Sequence, residues 1–154
     1  RKRALGAFHW SFLAQPAPLP ERLIQFDPEF FATRLMTRWA APDFKFKPDA
    51  MAEYLRCFAK PEVISATCED YRAGAGIDDQ LDREDFEAGR RLQCPVHFLW
   101  GSCRNLGGPQ GVADPLQVWR RWADDVSGAP IDCGHFLAEE APEQVIDWIH
   151  KFFT

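Results

Sequence analysis

Two short apolar runs constrain this chain more than anything else in it. "CPVHFLWG" (94–101) and "GAPIDCGH" (128–135) each read as a short buried strand that stops at glycine. Between them, "DPLQVWRRWADDV" opens on Asp-Pro and carries apolar residues at 116, 118, 119 and 122, the spacing of a helix. After them, "APEQVIDWIHKFF" is amphipathic, with Val145, Ile149 and Phe152 on one stripe and Ile146, Trp148 and Phe153 beside it. Strand, helix, strand, helix is a parallel βαβ arrangement with a covering helix. Parallel sheets, however, are buried on both faces and usually have four or more strands. A two-stranded parallel sheet is therefore expected to be the edge of a larger one, with the other strands upstream of Arg1.

The preceding residues read as helices. Asp27-Pro28 is a start signal, a capping carboxylate followed by proline at the first helical position. From it Phe30, Phe31, Leu35 and Trp39 recur at helical spacing until Pro42. A second run starts near Pro48 and carries Met51, Tyr54, Leu55 and Phe58; a third follows Pro61 through Ile64, Cys68 and Tyr71. "RAGAG" breaks the pattern, and the acidic "IDDQLDREDFEAG" predicts one more surface helix. The expected division is a helical part, residues 1–92, and an α/β part, residues 93–154.

Composition narrows the class. With 154 residues, 46% hydrophobic and 27% charged, the chain is of a size and kind to fold around one substantial core. A net charge of -5 leaves no basic surplus to neutralise phosphates, so no nucleic-acid partner is expected. No apolar run approaches the roughly 18 residues that cross a bilayer, so no membrane partner is expected either. "RKRALGAF" opens with three basic residues but lacks the apolar core and cleavage site of a signal peptide. Five cysteines, 57, 68, 94, 103 and 133, show no C-x-x-C spacing. That pattern predicts reduced thiols in a cytoplasmic protein and no structural zinc site.

Few residues point to chemistry. His135 follows a strand and a glycine, where α/β sheets gather functional side chains, and its near-neutral pKa suits a general base. An exposed loop histidine is the plain alternative. "FHWSFLAQPAPLPE" (8–21) pairs His9 with Trp10, two adjacent ring N–H donors, in an apolar run that ends in prolines. Such a pair also fits a core whose donors are satisfied internally. "RNLGGPQG" has three glycines but no phosphate-loop lysine, so a loop is expected; Cys103 and Arg104 suggest nothing specific.

The order of these segments carries a resemblance. "LWG" after one strand, "GHF" after the next and "EEAPEQV" at the last helix resemble the C-terminal end of an α/β-hydrolase. With "HWSFLAQPAPLPE" and "CEDYRAG" upstream, nearly the whole chain resembles the haloacetate (fluoroacetate) dehalogenase family. That resemblance implies an α/β-hydrolase fold fragment: most of a helical cap, then the last two parallel strands and helices of the core. It implies His135 as the catalytic base, and His9, Trp10 and Tyr71 as donors to the departing halide. Trp39 falls where a cap tryptophan lines the family's pocket, although its spacing fits plain helix packing equally well.

The chemistry so implied needs neither cofactor nor metal. An aspartate displaces the halide from a small haloacid and forms an ester, which water activated by histidine then hydrolyses. No Gly-x-Asp-x-x-Gly or Gly-x-Ser-x-Gly nucleophile turn occurs in these residues, and no carboxylate follows "LWG" until Asp114. The nucleophile, the triad acid and the arginines that grip the substrate carboxylate are thus expected upstream, and the chain alone is expected to be inactive. An epoxide hydrolase, which would use two cap tyrosines where only Tyr54 and Tyr71 exist, stays open as an alternative. So do an esterase and a non-catalytic truncated product. Members of the family are often homodimers.

Overall fold

A computed structural model of the chain describes residues 7–103 and 115–154. The basic stretch 1–6, Arg104, the glycine-containing segment after it and Asp114 lie outside the described residues. The chain forms two compact units, one from Arg1–Arg38 and Lys45–Arg83, the other from Trp39–Phe44 and Glu84–Thr154.

The first unit is helical. α1 (Phe8–Leu13) ends at the proline-containing turn; α2 (Leu19–Phe26) has Pro20 in its first turn. α3 (Pro28–Trp39) starts where Asp27-Pro28 predicts: the Asp27 carboxylate accepts the Phe30 N–H at 2.9 Å, satisfying one of the helix's orphan donors. α4 (Pro48–Phe58) and α5 (Pro61–Gly74) each begin on a proline, whose missing N–H costs nothing at that position. α6 (Ile77–Glu87) is acidic and largely exposed, and runs across the boundary between the units.

α5 is the centre of this unit and packs against α1, α2 and α4. Leu13, Ile24, Ile64 and Cys68 are buried at that junction, with Phe12, Phe31, Phe58 and Tyr71 packed around them. Burying each of the large aliphatic side chains contributes about 1.5–3 kcal/mol. In α3 the inward face differs from the expected one. Ala32 and Leu35 are buried and Phe31 half-buried, but Phe30 is 66% exposed because it stands a position off that stripe.

In the second unit β1 (Val96–Gly101) and β2 (Val126–Ile131) pair in parallel, with Val96 opposite Val126 and Gly101 opposite Ile131. The connecting helix α7 (Leu116–Trp119) is one turn long, much shorter than its apolar spacing predicts. Tertiary hydrogen bonds capture the backbone that would have continued it. Arg91 donates to the carbonyls of Arg120 and Ala123 at 2.7 Å, and Leu92 N–H donates to Trp122 O at 2.7 Å. The chain is thereby drawn into line for β2, and the Trp122 ring packs on Phe86 at 5.5 Å.

After β2 come a short helix absent from the sequence reading, α8 (Leu137–Glu140), and then α9 (Pro142–Phe153). The least exposed positions of α9 are Val145, Trp148 and Phe152, whereas Ile149 and Phe153 are exposed. The reason is His97 on β1, whose ring lies 4.9 Å from Trp148 and 5.4 Å from Phe152 and so selects that face.

Candidate active site

The residues singled out by sequence fall into two sets, one in each unit. In the first unit, α1 carries His9 and Trp10, and α5 carries Tyr71. The three rings form a triangle: His9 and Trp10 are 6.1 Å apart, His9 and Tyr71 5.9 Å, and Trp10 and Tyr71 5.1 Å. Both contacts of Tyr71 are edge-on, the arrangement aromatic rings prefer. Tyr71 and His9 are half-buried and Trp10 is exposed. Burial pushes the Tyr71 phenol above its ordinary pKa, with the Asp70 carboxylate adding to the effect. Its O–H therefore remains a donor throughout the neutral range.

A cross-tie absent from the sequence reading holds this triangle. The Arg72 guanidinium, next to Tyr71, pairs with Glu21 on α2, donates to Gln15 O at 3.1 Å just past α1, and reaches Glu69 at 3.1 Å. One side chain thus joins the turn after His9 and Trp10 to the helix of Tyr71. The other tyrosine, Tyr54, packs its ring on Phe46 at 6.4 Å.

In the second unit His135 stands in the loop that follows β2, and its side chain is exposed. Its ring meets Trp39 at 5.4 Å and Phe136 at 5.4 Å, while its N–H donates to Trp39 O at 2.9 Å. Trp39 is therefore both the last residue of α3 and a neighbour of His135, a contact that helical spacing alone does not reveal. Glycines make room here: a Cβ on Gly134 would lie 2.3 Å from Ala41 N, and one on Gly101 would lie 1.8 Å from Gly134 O. Only glycine permits backbones this close.

The carboxyl ends of the two strands also bring Cys103 and Asp132 together. The Cys103 thiol donates to Asp132 Oδ1 at 3.1 Å, and this hydrogen bond is the main cause of its raised pKa. A thiol so held is a poor nucleophile. Among the described residues no group of three or more His, Cys, Asp or Glu side chains is placed to hold a metal ion. No helix among them is long and apolar enough to cross a membrane.

A parallel strand pair with a histidine in the loop after its second strand, preceded by a helical unit, has the fold of the α/β-hydrolases, as comparison with solved structures shows. The described fold matches an α/β-hydrolase, so assigned provisionally, from Nostoc sp PCC 7120 with a TM-score of 0.89 and 47% identity, over 98% of this chain and 50% of that one. A fluoroacetate dehalogenase from Burkholderia sp is 33% identical over 152 residues, 98% of this chain and 48% of the relative. A soluble epoxide hydrolase from Corynebacterium sp. (strain C12) is 33% identical over 142 residues, 86% of this chain and 44% of the relative. The chain thus spans about half the length of the curated relatives it matches. No protein-family model matches the sequence.

Proposed function

We propose that this chain supplies the leaving-group donors and the general base of an α/β-hydrolase that cleaves the carbon–halogen bond of small haloacids. The observation that carries this reading is the ring triangle of His9, Trp10 and Tyr71, which assembles three side chains able to donate N–H or O–H. A departing halide concentrates negative charge on one small atom, and preorganised donors aimed at that charge lower the barrier. An aspartate outside this chain attacks the carbon that bears the halogen; the C–X bond breaks, halide leaves and an ester forms. His135 then removes a proton from water, the hydroxide attacks the ester carbonyl and the acyl C–O bond breaks. The hydroxy-acid product leaves as its alkoxide takes the proton back from His135, with the aspartate carboxylate regenerated. The protein needs no metal or cofactor for this sequence, and acts on its substrate away from nucleic acid and membrane.

A second reading is epoxide hydrolysis by the same two-step logic. It is favoured by the likeness to the Corynebacterium enzyme and by the raised pKa of Tyr71, which keeps a phenolic proton available to an epoxide oxygen.

The test is halide release from haloacetates by the complete hydrolase containing this chain, set beside turnover of an aliphatic epoxide. Halide release is expected, with Tyr71→Phe and Trp10→Phe each lowering it by about 10²-fold, the usual effect of one lost donor. His135→Ala is expected to leave the enzyme trapped as the ester. Epoxide turnover without halide release would instead establish the second reading, and turnover of neither substrate would remove both.

A further inference from the structure

The loop that holds His135 is organised by a carboxylate with no part in the chemistry proposed above. Glu140 closes α8, and its side chain turns back over the loop. Its Oε2 accepts the Gly134 N–H at 2.7 Å and the Ala41 N–H at 2.9 Å; its Oε1 accepts the Phe136 N–H at 2.9 Å. Between them the His135 N–H donates to Trp39 O at 2.9 Å. Three consecutive amides of the loop therefore have acceptors, two on Glu140 and one on the backbone of the segment that Glu140 also grips.

The connection spans 99 residues between Ala41 and Glu140, so no local turn accounts for it. Hydrogen bonds to an ionised acceptor are roughly twice as strong as neutral ones, and a carboxylate can take several at once. Glycine at 134 lets the Ala40–Ala41 backbone approach closely enough for the Ala41 and Gly134 N–H groups to share one oxygen. The imidazole itself has ring contacts with Trp39 and Phe136, and no hydrogen bond to it occurs among the described residues. Among the described residues its position depends on those two rings and on the loop backbone.

From this geometry we propose that Glu140 is a positioning residue for the general base, fixing the loop of His135 and the Trp39–Ala41 segment as one unit. The catalytic part of the proposal rests on the reading of His135 as the base that hydrolyses the ester. Base and pocket-lining tryptophan are held in one arrangement because a single carboxylate binds the backbone beside each. Its effect falls on the second chemical step, since attack by the aspartate does not require the histidine.

Two measurements test this and fail separately. In the complete hydrolase without substrate, Glu140→Gln replaces one acceptor oxygen with a donor, and Glu140→Asp keeps the charge but shortens the reach. Amide hydrogen exchange of Ala41, Gly134 and Phe136 is expected to quicken together by at least about 10-fold in Glu140→Gln, with the amides of the β1–β2 ladder unchanged. Unchanged exchange at Ala41, or equal acceleration throughout the chain, would overturn the proposal. In the complete hydrolase, Glu140→Gln is expected to lower kcat about 10-fold, to leave kcat/KM for haloacetate nearly unchanged, and to accumulate ester visible by mass. Equal loss of kcat and kcat/KM with no ester would assign Glu140 a purely structural role. If the unaltered hydrolase releases no halide, the haloacid reading fails while the exchange data still decide whether Glu140 clamps the loop.

Discussion

Arg72 and Glu21, 51 residues apart in sequence, form an ion pair in which both side chains are largely withdrawn from solvent. The pair is tied to the ring triangle through the backbone, because Arg72 follows Tyr71 and also holds Gln15 O in the turn after α1. Its geometry converts one sequence neighbour into a brace across three helices.

Removing Arg72 is expected to destabilise the fold by about 2–3 kcal/mol, since Glu21 is left buried without its counter-ion, whereas removing Glu21 costs less because Arg72 keeps Glu69. Chemical denaturation of Arg72→Ala, Glu21→Ala and the double variant measures this. The double variant is expected to be more stable than the sum of the single losses implies, because it leaves no orphan charge. Strictly additive losses would show that the two residues act independently. Arg72→Lys is expected to recover only part of the stability, because an ammonium cannot present the same fork to Glu21 and Gln15 at once.

Gly134→Ala is expected to move the His135 loop. The added Cβ would meet Ala41 N at 2.3 Å, Ala40 C at 2.5 Å and Glu140 Oε1 at 2.8 Å. Two of those atoms are backbone and cannot swing aside, so relief must come from displacement of the loop, at a cost on the order of 1–3 kcal/mol. Gly74→Ala, where nothing lies within 4 Å, is the control and should be nearly neutral. Equal stability of the two variants, read from their denaturation midpoints, would contradict the close approach described here.

Alkaline pH should weaken the second unit through Cys133. Burial, followed by the charge of Glu140, pushes its thiol from 9.0 up to about 11. The folded state therefore keeps a proton that the unfolded state loses above pH 9, and stability falls as pH rises from 9 toward 11. In Cys133→Ala the alkaline slope is expected to flatten, even if the cavity lowers stability at all pH values. For the same reason iodoacetamide at mildly alkaline pH should label the exposed Cys94 before Cys133, as mass analysis of peptides would show.

Much of the local structure was legible because its causes are local. Asp27-Pro28, Pro48 and Pro61 start helices through the geometry of their own backbones, and both short apolar runs contribute to the two parallel strands, although β2 begins at Val126 and keeps only 128–131 of the second run. Spacing alone does not fix burial. Phe30 stands a position off the buried stripe of α3, and Ile149 shares a stripe with the half-buried Val145 and Phe152 yet is exposed, since spacing says which residues share a face but not what covers it. α7 was cut to one turn by Arg91 and Leu92, residues more than twenty positions earlier.

By itself the sequence determined the order of the helices, the parallel sense of the strands and, through its motifs, which side chains to examine. Tertiary structure alone decided that Tyr71 meets Trp10, that Trp39 stands beside His135 and that Glu140 grips the backbone on both sides of His135 and at Ala41. The physical reason is the range of the forces involved. Capping and backbone preference act within a few residues and leave their mark in the local sequence. Hydrogen bonds and ring contacts between distant segments exist only after the chain has closed on itself, and no spacing rule encodes which distant partner will arrive.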